Sequence, residues 1–233
     1  MKDLRDRMEP VVRAAAGVSP AAGARCVMFI AARKGEGTSS VAASFALLTA
    51  RKSSRPTWLV DLDFRRNPLF RAFQEGFARD VGQPGRAYDA SLKTEPIYAT
   101  SPAVVRGEPR KDVRRLLGVH PVQGTRLMVT RFRTEALLKG QRVQLRTRPE
   151  WWSRLRKAAG AVVVDAPSLE RSSAGLAMAS QMDGVFLVLA ADSTGADEVI
   201  ALRDQVEAHG GHVAGVVMNR IGADAHFADR LAG

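Results

Sequence analysis

Across 233 residues the chain carries one cysteine, two tyrosines and four histidines, and fewer acidic than basic side chains. A lone Cys26 excludes a disulfide framework, and its place in an apolar run marks it as a buried structural thiol. His120, His209, His212 and His226 have no metal-ligand spacing with a cysteine partner, which removes zinc from the expected chemistry. No apolar run is long enough to cross a bilayer, and Met1-Lys-Asp-Leu-Arg-Asp-Arg7 lacks the apolar core of a signal peptide. The expected location is therefore the cytoplasm, with a peripheral position at the inner membrane compatible with the excess of basic residues.

What is present is a strand-helix alternation. With 45% apolar residues the chain can bury the core of one α/β sheet. Apolar runs predict strands near 25–32, 57–62, 126–130, 161–165, 184–191 and 212–218, and helices near 38–52, 149–159, 171–181 and 195–208. The stretch from Gln74 to Gly124 contains Gly82-Gln-Pro-Gly85, Pro96, Ser101-Pro102 and Pro109, and reads as loop-rich. There is no internal repeat and no second domain.

The strongest chemical signal lies between the first strand and the first long helix, in Arg33-Lys34-Gly35-Glu36-Gly37-Thr38-Ser39-Ser40. Glycines let a backbone turn cradle phosphates with its N–H groups, and the helix behind it adds partial positive charge. In the phosphate-loop signature a lysine follows the last glycine and a hydroxyl residue, ligating magnesium, follows the lysine. Ser39 fills the hydroxyl slot, whereas Thr38 stands where the lysine belongs and brings no charge. Three carboxylates complete the pattern. Asp61 and Asp63 end the strand that begins at Thr57, and Asp165 ends Ala161-Val-Val-Val-Asp165. In an open parallel sheet these strand ends converge beside the loop, which implies magnesium. Taken singly, each aspartate fits a loop cap at a strand end better than a ligand, but the occurrence of all three in this order argues against that reading.

In this order, with Asp183-Gly-Val-Phe-Leu-Val-Leu189 and Gly215-Val-Val-Met-Asn-Arg220 following, the chain resembles the cytoplasmic domain of the bacterial tyrosine kinases of exopolysaccharide biosynthesis and export, within the deviant-Walker group that holds MinD and ParA. The resemblance spans roughly residues 25 to 221. It implies a single P-loop NTPase-like domain over 25–233, with a mostly parallel sheet and helices on both faces, preceded by an N-terminal helical or linker segment over 1–24. It further implies nucleotide binding by residues 33–40 and Asn219, the latter at the adenine-recognising position, and magnesium held by Ser39, Asp61, Asp63 and Asp165. The three aspartates are also the candidates for any catalytic role.

The departures shape the expected function. Thr38 replaces the lysine, Ser168 replaces the second proline expected after Asp165-x-Pro167, the Pro-Asn-Pro motif is missing, and Tyr88 and Tyr98 do not form a C-terminal tyrosine cluster. Arg33 falls at the position of the extra signature lysine of MinD-like ATPases, and Lys34 follows it. The expectation is a catalytically impaired relative that binds ATP or ADP with magnesium weakly or not at all, with no tyrosine autophosphorylation and at most residual ATPase activity. Its expected partner is the cytoplasmic segment of a separate membrane polysaccharide co-polymerase, with self-association and an anionic membrane surface as further contacts. Two alternatives are an atypical ATP switch using Arg33 or Lys34, and a ParA-like DNA- or membrane-positioning protein. The second draws on the net charge of +11 and the basic runs Arg106 to Arg115 and Arg131 to Arg156. Nothing specifies base readout, Trp151 and Trp152 fit packing onto the sheet better than base stacking, and nucleic acid is not an expected partner.

Overall fold

The computed structural model describes residues 1–102, 115–192 and 194–220. The sequence-predicted alternation is present. Strands β1 (Cys26–Ile30), β2 (Thr57–Asp61), β6 (Leu127–Phe132), β8 (Ala161–Asp165), β9 (Gly184–Ala190) and β10 (Val213–Asn219) run parallel, in the spatial order β10-β9-β1-β8-β2-β6. Two strands within the stretch read as loop-rich extend the sheet antiparallel: β5 (Leu117–Pro121) beside β6, then β3 (Tyr88–Asp89). A separate antiparallel ribbon pairs β4 (Tyr98–Ser101) with β7 (Arg142–Leu145).

Every residue of β1 is buried, as a central parallel strand covered on both faces requires. Alternation along the strand sends side chains to two cores. Cys26, Met28 and Ile30 join one core with Trp151, Trp152 and Leu155 of α4 (Pro149–Ala158), Leu176 of α5 (Ala174–Met178), and Leu202 and Val206 of α6 (Ala196–Ala208). Val27 and Phe29 join the other, with Val41, Phe45 and Leu47 of α2 (Thr38–Lys52) and Leu69 and Phe73 of α3 (Pro68–Gln74). Helices thus cover both faces. The helix expected over 171–181 is shorter: α5 gives way to a 3-10 turn at Ala179–Gln181.

Within residues 1–24, Leu4 to Ala15 pack on the second core, whereas Ala24 belongs to the first. Helix α1 (Glu9–Ala16) contributes Ala15, and the preceding turn contributes Leu4 and Met8. The Lys2 amide donates to Ser40 Oγ at 3.0 Å and the Leu4 amide to Ser44 Oγ at 2.8 Å, so this segment lies along the first turns of α2.

Some of the basic side chains are engaged within the fold. The Arg156 guanidinium is buried, pairs with Asp183 and donates to the Ala24 and Gln181 carbonyls. Arg131 pairs with Glu135 and lies over the Phe70 ring at 5.1 Å, and Arg146 pairs with Glu95. Residues 106–114 of the first basic run, and the C-terminal residues 221–233, lie outside the described residues. Both tryptophans are buried, Trp151 Nε1 donating to the Ala90 carbonyl at 2.8 Å, so neither presents a face for base stacking. Cys26 is buried, and burial pushes its thiol up to about 12.

Candidate nucleotide site

The turn from β1 into α2 is held by its own glutamate. Glu36 is buried, and one carboxylate oxygen accepts from the Arg33 amide at 2.7 Å. The other accepts from the Thr194 hydroxyl and from the Ala190 amide at 3.4 Å, tying the loop to the end of β9. A second acidic side chain, Glu170, accepts from the Lys34 amide at 2.8 Å. Gly35 and Gly37 have φ of 92° and 90°, left-handed values that side-chain-bearing residues rarely adopt. Gly37 is also sterically required, because a β-carbon there would sit 2.1 Å from Asn219 Nδ2.

Asn219 ends β10 and donates through Nδ2 to the Glu36 carbonyl at 2.8 Å. Its amide therefore reaches the loop itself. Thr38 opens α2 and is buried, with Gly37 as the N-cap and no side-chain cap on the helix. The first-turn amides of such a helix have no intrahelical acceptor and favour an anion. Ser40 faces away from this role, since its hydroxyl accepts from Lys2.

The carboxylates meet the loop unequally. Asp61 and Asp165 are direct neighbours in the parallel register of β2 and β8. Asp61 is buried, and its two oxygens accept from the Asp63 amide at 2.8 Å and the Leu69 amide at 3.1 Å. Burial first, then the nearby Asp165, pushes its pKa well above the usual carboxylate value. Asp63 pairs with Arg171 and accepts from the Arg66 amide at 3.2 Å. Asp165 is buried and interacts with the Ser39 hydroxyl, while its Oδ1 has no hydrogen-bond partner. Burial raises its pKa to about 7, against the lowering effect of Ser39.

A buried carboxylate oxygen without a partner, beside a serine hydroxyl and an uncapped helix N-terminus, fits a hard cation accompanied by phosphate and water. Among the described residues no three acidic, histidine or cysteine side chains gather as a preformed metal cage. A magnesium ion here would thus be held by Ser39 and by Asp165, with Asp61 occupied in capping the turn after β2. Bound there, it would neutralise phosphate charge.

The cations around the loop differ in what they already hold. Arg33 pairs with Glu198 at the start of α6, and Arg171 with Asp63. Lys34 is exposed, its described contact being the amide bond to Glu170. Arg220 follows Asn219 with a left-handed φ of 56°, and its Nη2 lies 3.8 Å from where a β-carbon on Gly35 would be. Sequence reasoning missed Glu170, Arg171, Thr194 and Arg220. The only sequence signal among them is the adjacency of Arg220 to Asn219.

This architecture defines a class. It is the fold of the bacterial tyrosine kinase domains, as comparison with solved structures shows. The chain is similar to the VpsO kinase domain, with a TM-score of 0.61 and 18% identity over 94% of each chain. It is similar to the BceF tyrosine kinase domain at a TM-score of 0.54 and 17% identity, over 94% of this chain and 76% of that one. For the kinase domain of the Escherichia coli tyrosine kinase ETK the TM-score is 0.50 at 15% identity, over 84% of this chain and 68% of the other. No protein-family model and no curated protein sequence matches the chain.

Proposed function

We propose that the chain is a nucleotide-binding relative of the bacterial tyrosine kinases that is impaired in phosphoryl transfer and acts as an interaction component of exopolysaccharide synthesis and export. One observation carries the reading: a loop with both glycines and a supporting glutamate in place ends in Thr38, beside an unpartnered Asp165 oxygen. The frame for a magnesium nucleotide is kept while the charge that acts on the phosphates is reduced. Transfer depends on charge placed where it develops, so the loss of lysine falls harder on turnover than on binding. Acceptors for autophosphorylation are scarce as well. Tyr98 is fully buried with its hydroxyl accepting from the Leu116 and Leu117 amides, which leaves Tyr88 as the exposed tyrosine.

The proposed partner is the cytoplasmic segment of a membrane polysaccharide co-polymerase, and no described helix is long and apolar enough to cross a membrane. The ParA-like alternative is weakened by the burial of both tryptophans and the internal pairing of several arginines. Calorimetric titration of MgATP and MgADP into the protein and into Thr38→Lys, with intact-mass measurement after incubation with ATP, tests the reading. We expect weak binding, about tenfold tighter in the lysine variant, and no added phosphate. Phosphotyrosine on the unaltered chain would overturn it.

A further inference from the structure

We infer that the Arg220 guanidinium supplies positive charge to phosphates bound in the 35–40 loop, partly replacing the lysine that Thr38 displaces; this rests on the loop being a nucleotide site. The sequence places the replacement far from the loop, but the topology brings it back. β10 pairs with β9, whose end is bonded to Glu36, and the Ala191 amide donates to the Asn219 carbonyl at 2.9 Å. The end of β10 is thereby delivered to the loop. Asn219 engages the Glu36 carbonyl, and the next residue turns through a left-handed φ of 56°. That turn sets Arg220 Nη2 over Gly35, 3.8 Å from a virtual β-carbon.

Two features suit Arg220 to this role, the first of which, a charge without a described ion-pair partner, it shares with Lys34. The Arg33 and Arg171 guanidinium groups are committed to Glu198 and Asp63, whereas Arg220 is exposed and has no ion-pair partner among the described residues. It is also fixed to the loop through the adjacent Asn219, so its backbone does not have to be ordered when a phosphate arrives. A planar guanidinium can offer paired N–H donors to phosphate oxygens. The unpartnered, buried Asp165 Oδ1 and the uncapped start of α2 independently mark the same place for a metal-bound anion.

The test is calorimetric titration of MgATP, magnesium tripolyphosphate and adenosine into the unaltered chain, Arg220→Ala, Thr38→Lys and the Thr38→Lys/Arg220→Ala double variant. Arg13→Ala on α1 serves as a control for net charge, and thermal melts report folding. Arg220→Ala should weaken MgATP and tripolyphosphate by roughly tenfold or more, leave any adenosine binding unchanged, and lose far less in the lysine background. Equal affinity of the unaltered chain and Arg220→Ala would overturn the inference and leave the nucleotide site standing. An equal loss in Arg13→Ala would also overturn it, by assigning the effect to overall charge. If the unaltered chain binds neither polyphosphate, the site and the role of Arg220 fall together.

Discussion

Two turns leave the C-terminal end of the parallel strands, one after β1 and one after β2 with β8 between them, and they spend their polar atoms in opposite ways. After β1, the side chain of Glu36 ties the loop to Arg33, Ala190 and Thr194 while the start of α2 keeps no side-chain cap. After β2, Asp61 turns both oxygens onto the Asp63 and Leu69 amides, and Asp63 is taken by Arg171. The first turn is braced and leaves donors open. The second is saturated. The difference teaches that a carboxylate at a strand end is a ligand only if the local backbone leaves its oxygens free, and Asp165, with Oδ1 unpartnered, meets that condition best.

The comparison is broken most forcefully with pH. Asp165 has its pKa raised by burial from the ordinary 3.8 to about 7, and Asp61 is shifted in the same direction. Between those two values the native state holds a proton that the unfolded chain has released, so stability falls as pH rises through the window. The loss should be on the order of 3 kcal/mol from pH 4 to pH 7, with a limiting slope of about 1.4 kcal/mol per unit for each such group. Urea unfolding across that range checks it. Asp165→Asn should flatten the profile and be the more stable form at pH 8, and magnesium nucleotide should bind with proton release below pH 7. A profile in Asp165→Asn as steep as in the unaltered chain would assign the effect to Asp61 and reverse the contrast between the two turns.

Asp61→Ala attacks the saturated turn directly. Two buried amides lose their acceptors, and the expected cost is about 2 to 4 kcal/mol in urea unfolding. Asp61→Asn, keeping one oxygen, should cost less than the alanine variant. If Asp61 instead served mainly as a metal ligand, both variants would unfold like the unaltered chain and lose magnesium dependence. Glu36→Ala attacks the braced turn, with an expected loss of about 2 kcal/mol. Hydrogen exchange should show lost protection at the Arg33 and Ala190 amides, whereas the amides after β2 stay protected.

How far such assignments are legible in the sequence depends on what carries them. The helix predicted over 38–52 is α2 at Thr38–Lys52, and the runs that predict β1, β2, β8 and β9 succeed because a strand buried on both faces is a short, unbroken apolar string. α3 escaped because it has only 7 residues and starts at Pro68 after Asn67, whose φ of 45° no local pattern announces. β4 and β7 escaped because each is a short strand completed by a partner some forty residues away. The glycines, Thr38 and the three aspartates are legible as residue types at fixed spacing. Their division of labour is not, because it rests on bonds such as Asn219 to Glu36 and Glu36 to Thr194 that span more than 150 positions.

The finest distinction between the two turns lies at Gly37, where two separate reasons for glycine coincide. Its φ of 90° strains any side-chain-bearing residue, and a β-carbon would lie 2.1 Å from Asn219 Nδ2. Gly37→Ala should cost about 1 to 2 kcal/mol, combining backbone strain with loss of the Asn219 bond to Glu36. A double-mutant cycle separates the two. In an Asn219→Ala background the steric contribution is gone, so Gly37→Ala should cost measurably less there, and the residue of the effect is backbone strain alone. Equal costs in both backgrounds would mean that Asn219 swings aside freely, and the link between β10 and the loop would then be too loose to hold a phosphate contact in register.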